Sequence, residues 1–518
     1  MMTLKDILSS LSLTASQENG VFACEVDRDT LASIATTLVE GHKLPLSLLY
    51  GTDDRADTGT FGVHVLFAHD AEHAWIRLSA RVPENDPRYP SLTRTIMAAH
   101  WYERLLQDQF GVVAQEHPDP RRLIHHENIP EGTHPLRKDF AWNTKLEHAN
   151  VPYPMHHVEG EGIYEIPVGP IHAGIIEPGH FRFNVAGERI ITLEGKLFFT
   201  HKGVEKLLEG KTANEALPFV ERVSGDAAAS HALAFAQAVE SISDVQVPDR
   251  AKMLRVVLTE LERITMHLHD LSNIAGMGTG FTLIAAQGFR IKERLVRLSD
   301  RVVGNRFWRG AILPGGMAFD LSDDQLNDIQ TTLDSVVKET LNLVECGRYS
   351  DGLRERLETT GVLRSDVAVA YSAVGLPARA SGIARDVRVH HPYAAYDALP
   401  ITAAIRDKGD VYARWRLRSV EIEVSHDLIR KAINSMTPGP VSVPCHAKSG
   451  HGVGAVESWR GEIVTVVRFR DGVIDRAVVR DPSFVNWALF GEIGPGNIVP
   501  DFPLCNKSLN LSYSGTDM

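Results

Sequence analysis

The run Leu254-Arg255-Val256-Val257-Leu258-Thr259-Glu260-Leu261-Glu262-Arg263-Ile264-Thr265-Met266-His267-Leu268 sets apolar side chains at 254, 257, 258, 261, 264 and 268. This alternation of three and four residues stacks them along one stripe of an α-helix. The pattern spans Ala251 to Ile274 and returns in Phe281 to Arg301, Ser322 to Glu345 and Tyr412 to Ser435. Long amphipathic segments in succession predict a helical bundle. Within the first of them His267 and His269 are two residues apart, so they face different ways and share no metal site. Gly276-Met277-Gly278-Thr279-Gly280 follows a helix rather than a strand, and reads as a connection between helices instead of a nucleotide loop.

Outward from the bundle the pattern changes to short strands. Tyr164 to Val168, His180 to Val185, Ile190 to Leu193 and Leu197 to Thr200 precede it, and a β-rich stretch from Val453 to Val479 leads into an irregular tail. The N-terminal part alternates helix and strand signals. Leu31 to Val39 has helical spacing after Asp29, a candidate N-cap. Leu46 to Tyr50, Gly62 to Ala68 and Ala74 to Val82 read as strands, and a helix with Ile96, Ala99, Tyr102, Leu105 and Leu106 on its apolar face stops at Phe110-Gly111. This order predicts a small α+β sandwich. Pro118 to Pro135 lacks periodicity and leads into a linker, which places the domain boundary between Ala141 and Glu159.

Composition narrows the function. The chain has 518 residues, beyond the size at which one core stops growing, so at least two domains are expected. Its formal charge of −12 disfavours nonspecific nucleic-acid binding, which rests on neutralising phosphates. No apolar stretch is long enough to span a bilayer, and the first ten residues carry no signal-peptide core. The four cysteines, Cys24, Cys346, Cys445 and Cys505, are isolated from one another. They fit free thiols in a reducing compartment and lack the spacing of a zinc or iron–sulfur site.

Trp101-Tyr102-Glu103-Arg104, His117-Pro118-Asp119-Pro120-Arg121-Arg122-Leu123 and Pro135-Leu136-Arg137-Lys138-Asp139-Phe140 occur in the order found in the 30-kDa subunit of respiratory complex I, which this part resembles. In that family the module docks and binds no cofactor, and the arginines with the proline-fixed loop are expected to bond a partner surface. The remainder resembles the large subunit of energy-converting nickel–iron hydrogenases and the 49-kDa subunit of complex I. The text that carries it includes Gly169-Pro170-Ile171-His172-Ala173-Gly174-Ile175-Ile176-Glu177-Pro178-Gly179-His180-Phe181, Leu261-Glu262-Arg263-Ile264, Arg379-Ala380-Ser381-Gly382 and Glu457-Ser458-Trp459-Arg460-Gly461-Glu462. The expected fold class is therefore α+β. A small α+β domain at 1–145 is followed, at 158–518, by a helical bundle like that of a nickel–iron hydrogenase large subunit, with small flanking β-sheets.

A hydrogenase large subunit holds its bimetallic centre with two CxxC pairs, because soft thiolates stabilise nickel and bridge it to iron. The corresponding runs here are Arg222-Val223-Ser224-Gly225-Asp226-Ala227 and Ser508-Leu509-Asn510-Leu511-Ser512-Tyr513-Ser514-Gly515-Thr516-Asp517. The resemblance thus puts Ser224, Ala227, Ser512 and Gly515 at the ligand positions, and two hydroxyls, a methyl and a hydrogen supply no thiolate. No metal is expected. Hydrogenase large subunits are commonly made with an extension beyond the second pair; with the sequence reading to Met518, no such removal step is expected here. The histidine and tyrosine that complex I offers to its quinone fall at Ile176 and Gly225, neither of which donates a hydrogen bond from its side chain.

The resemblance assigns proton relay to Glu177, with Arg460 above it, and places Arg222 beside an iron–sulfur cluster of a partner. Asp226 lies between two former ligand positions, where it carries a proton or pairs with Arg222 or Arg460. His172, His180 and His231 share these motifs, and each reads either as a cavity residue or as a core histidine satisfied by the backbone. His172 and His231 join Arg222 as candidates near the cluster or acceptor. The implied assembly is a complex I-like oxidoreductase at the inner face of the cell membrane. It comprises a small subunit carrying [4Fe-4S] clusters, membrane ion-translocating subunits, and this chain passing electrons to a quinone-like acceptor without a cofactor of its own. The alternative is a noncatalytic coupling scaffold, and an active hydrogenase ranks last. An open cavity lined by Arg222, Asp226 and Arg460 favours catalysis; one filled by Leu511 and Tyr513 favours the scaffold.

Overall fold

The Thr60–His69 strand is buried along almost its whole length, which an edge or one-sided sheet would not allow. It lies inside a five-stranded sheet whose order is Ser16–Glu18, Val21–Val26, Ala74–Pro83, Thr60–His69, Leu46–Asp54. Every pairing is antiparallel except that of Val21–Val26 with Ala74–Pro83. The His100–Phe110 helix covers one face, with Leu106 and Phe110 pressed so close to Gly51 that a Cβ there would lie 2.6 Å from Leu106. The C-terminal part reaches the same sheet: Arg476 donates to the Gly51 carbonyl at 3.1 Å, and Arg468 bonds Asp54 at 2.7 Å. Both faces being covered explains the continuous apolar strands.

The computed structural model describes residues 2–172 and 176–518. Residues 173–175 of the Gly169–Phe181 motif therefore lie outside the described residues. Beyond the linker, Ile163–Val168, His180–Ala186 and Arg189–Lys196 form a three-stranded antiparallel sheet. The helices Asp249–Thr279, Thr282–Val303, Asp323–Arg348 and Val411–Ser435 form the bundle, and Gly450–Glu457, Glu462–Arg470 and Val473–Arg480 form a second three-stranded sheet. The mixed α+β class holds, with both helices and strands in each half of the chain.

Several local expectations change. Leu197–Thr200 is not a strand: Phe198 takes a positive φ of 66° and ends the pairing. The Leu31–Thr36 helix starts after Thr30 with no side-chain cap, so Asp29 does not cap it. The tail is helical, in Pro482–Trp487, Phe490–Ile493, Phe502–Leu509 and Tyr513–Asp517. Arg104 and Arg121 turn inward: Arg104 bonds the carbonyls of Arg121 and Arg122, and Arg121 pairs with Asp119 and Glu194. Arg104 thus holds the 119–122 loop, and Arg121 ties that loop to Glu194 of the C-terminal part.

The Ala228–Ser241 helix sits at the centre, against the Gly450–Glu457 strand. Its small residues and the strand's glycines let the two backbones meet. A Cβ on Gly454 would stand 2.0 Å from the Ala234 carbonyl oxygen, and one on Gly452 1.9 Å from that of Ala238. Gly454→Val is expected to force helix and strand apart and to destabilise the protein by about 4 kcal/mol or more, read as loss of cooperative thermal unfolding.

Candidate functional site

The turn between strands Gly450–Glu457 and Glu462–Arg470 projects Trp459 and Arg460 toward the Arg222–Ala227 loop. Arg460 grips Asp226 with both terminal nitrogens, at 2.6 and 2.7 Å, and its Nε donates to the Asn510 carbonyl at 2.5 Å. The Trp459 indole donates to the Asp226 carbonyl at 2.9 Å, and the Arg460 guanidinium stacks 3.9 Å from the Trp459 ring. Desolvation works to raise the Asp226 carboxyl, but the Arg460 guanidinium and the Ser224 hydroxyl together hold the group below its ordinary range. Asp226 therefore stays ionised and paired.

The turn itself rests on buried charge. Arg263 donates to the carbonyls of Ser458 and Glu457, while the Glu457 carboxylate accepts from Arg379 at 2.6 Å. Arg379 also bonds Glu421, which accepts from His267 at 2.7 Å. Glu260 joins Arg263 and Arg388, and Arg388 pairs with Asp386. All of these side chains are buried, and each has an opposite charge in contact.

The four nominated ligand positions gather at one place. Ser224 Oγ donates to Asp226 at 2.9 Å and lies 3.0 Å from Ser512 Oγ. Ser512 in turn caps the last helix by accepting from the Gly515 amide at 2.8 Å. Ala227 is buried against Met266 and Trp459. A Cβ on Gly515 would stand 2.7 Å from the carboxyl carbon of Asp481, whose Oδ2 lies 3.0 Å from His231 Nε2. Hydroxyls, a methyl and a carboxylate occupy the space between these positions.

Beside this cluster opens a cavity of about 580 Å³. Asp226 and Arg460 line it, as do Glu177, Ile176 and Gly225. Leu511 and Tyr513 form part of its wall and leave it open. Tyr513 Oη lies 3.5 Å from His172 Nε2, and burial pushes the Tyr513 hydroxyl well above its ordinary value, so it keeps its proton. Arg222 is not in the wall: it is exposed and bonds the Pro218 carbonyl. His231 is buried behind Asp481, and His180 bonds the Gly169 carbonyl at 3.4 Å. A larger cleft of about 780 Å³, between the 124–150 segment and Phe198–Leu207, contains none of the nominated residues.

Sequence reasoning missed several wall residues, namely His269, Lys292, Arg309 and Lys507. It also missed Glu262, which lies inside the quoted Leu261–Ile264 motif. Ala227 offers no cap to the Ala228–Ser241 helix, and Glu262 supplies one from the neighbouring helix by accepting from the amides of Ala229 and Ser230 and the Ser230 hydroxyl. That partnership from a second helix has no local sequence signal.

The chain matches three family models: "Respiratory-chain NADH dehydrogenase, 30 Kd subunit" over residues 24–145, "Nickel-dependent hydrogenase" over 202–274, and "Respiratory-chain NADH dehydrogenase, 49 Kd subunit" over 278–449. It is 33% identical over 486 residues to formate hydrogenlyase subunit 5 of Escherichia coli, covering 91% of this chain and 84% of that one. It is 32% identical over 498 residues to hydrogenase-4 component G of the same organism, covering 94% and 86%. With an NADH-quinone oxidoreductase subunit of Bacteroides fragilis it shares 27% over 442 residues, 80% of this chain and 83% of the relative.

Glu262 makes the site sensitive to pH. Burial pushes its carboxyl from 4.5 up to about 7, against the bonds from Ser230 and Ala229. A raised acid favours the protonated fold, so its contribution is fully present below 4.5 and lost as pH rises through about 7. Glu262→Gln cannot ionise, and its melting temperature is expected to fall less than that of the wild type between pH 5 and pH 8. The difference between the two profiles amounts to on the order of 3 kcal/mol across that window, and parallel profiles would rule the assignment out.

Proposed function

This chain belongs to the family of fused 30-kDa/49-kDa complex I-type subunits that includes the large subunits of formate hydrogenlyase and hydrogenase-4, and from that premise we propose that it passes electrons from a partner's iron–sulfur cluster to a quinone-like acceptor. It is a subunit of a membrane-associated, complex I-like oxidoreductase. Among the described residues no helix is long and apolar enough to cross a membrane, so attachment falls to partner subunits. We assign residues 1–145 to the docking module and 158–518 to the module that holds the site.

The observation that carries the reading is the open cavity beside the Asp226–Arg460 pair. Reduction of a quinone to a quinol takes two electrons and two protons. The electrons arrive from the partner, and exposed Arg222 on the loop that bears Asp226 is the surface cation suited to face a reduced cluster. The protons come through groups at the wall. Tyr513 donates a hydrogen bond while staying neutral, with His172 beside it, and Glu177 connects the cavity to solvent. A nickel–iron centre does not fit the donors gathered here: the nominated positions supply no sulfur, and the Asp481 carboxylate stands against Gly515. Hydrogen turnover is not expected.

That same filling of the former ligand space favours a second reading, a coupling scaffold without turnover. The two separate in one preparation, the complex purified with its native partners and assayed for quinone reduction. Glu177→Gln and Tyr513→Phe are each expected to lower kcat by at least about tenfold. Arg222→Ala is expected to lower the midpoint potential of the partner's cluster in an EPR-monitored titration. A fully assembled wild-type complex that reduces no quinone establishes the scaffold instead.

A further inference from the structure

The cavity wall carries more positive charge than its own carboxylates balance. Lys292, Arg309, Arg460 and Lys507 face it against Glu177 and Asp226, in a chain whose formal charge is −12. Among the described residues, only Arg460 of these four is matched, by Asp226. Lys292 Nζ lies 3.3 Å from His269 Nδ1 and forms no ion pair with a described residue, and burial lowers the lysine, which disfavours its charge. Lys507 is likewise lowered by burial, with no carboxylate acting on it. Arg309 lies against Gly225, its Nη2 3.4 Å from where a Cβ would be, and its Nε is buried with no hydrogen-bond partner among the described residues. Carboxylates act on Lys292 (Asp226, Asp270 and Glu293) and on Arg309 (Glu221) only from beyond contact, and half-buried cations with no carboxylate in contact favour an anion beside them.

We propose that this cavity takes an anionic organic ligand, with an oxyanion group held among Lys292, Arg309 and Lys507 and an apolar body against Met266, Phe307 and Leu511. Asn273, Asn506 and Asn510 line the same space and offer amide donors for the remaining oxygens. Taking the cavity as the acceptor site rests on the functional reading above, and the acceptor then carries an acid group. The three cations come from the Thr282–Val303 helix, the loop after it and the Phe502–Leu509 helix, so the tail completes the site.

The test is binding to the oxidised full-chain complex, by calorimetry and with no electron donor present. The probes are 1,4-naphthoquinone-2-sulfonate, neutral 1,4-naphthoquinone and sulfate. The sulfonate is expected to bind at least about tenfold more tightly than the neutral ring, the effect of one well-placed charged hydrogen bond. Its advantage should shrink as KCl rises and should collapse in Lys292→Gln/Lys507→Gln. Equal affinities for the two quinones in the wild type overturn the proposal, as does an advantage that survives in the double variant. Sulfate binding as tightly as the sulfonate overturns the organic part of it. Because binding is read without turnover, failure of quinone reduction leaves this result standing, and turnover with equal affinities defeats only the charge preference.

Discussion

The bidentate pair between Asp226 and Arg460 joins segments that lie far apart in the chain. Asp226 sits in the loop before the Ala228–Ser241 helix, Arg460 in the turn of the C-terminal hairpin, and Arg460 also holds the Asn510 carbonyl of the tail. A guanidinium suits this work because its planar fork serves a carboxylate with two nitrogens and a carbonyl with the third. Remove either partner and the other is left as a buried or half-buried charge without compensation, which costs about 3–5 kcal/mol at such sites. The cavity exists because these segments are held at fixed separations.

Behind the pair, the charges around Arg263, Arg379 and Glu457 set where the hairpin turn sits. Buried ion pairs add little net stability compared with apolar packing, since desolvation offsets most of the attraction. Their effect here is positional. Each of the two carbonyls preceding Trp459 accepts from Arg263, so the turn cannot slide along the Asp249–Thr279 helix without stranding a buried donor. The close approach of Gly452 and Gly454 to the Ala228–Ser241 helix fixes the same hairpin from its other end.

Much of this was legible in the sequence, for identifiable reasons. The long helices follow from apolar spacing, because each keeps one stripe against the core over many turns. The helices of the tail are hard to read from sequence, although Asp481-Pro482 is a cap followed by a first-turn proline and Asp481 does cap the Pro482–Trp487 helix. These helices are four to eight residues long, too short for periodicity to register. Leu197–Thr200 misled for the opposite reason: its residues favour strands, but the positive φ at Phe198 turns the chain away. At the site, the gathering of Ser224 and Ser512 came from resemblance alone, since their hydroxyls meet across 288 residues of chain. Lys292, Arg309 and Lys507 were invisible because a cavity's charge depends on which faces of three distant segments converge.

The wall that faces this cavity is also anchored where it would otherwise fray. Asp517 accepts from the amides of Phe198 and Thr200 and from the Thr200 hydroxyl, and the Met518 carbonyl accepts from the amides of Lys202 and Val204. Burial raises the Asp517 carboxyl to about 6, against those same bonds, so the anchor works under strain from desolvation. With Asn510 held by Arg460, Ser512 by Ser224 and Ser483, and Asp517 by the 198–200 segment, the tail is fixed at three points within eight residues. A wall pinned this closely is organised before any ligand arrives, so its donors meet a ligand without the ordering cost that a mobile tail would impose.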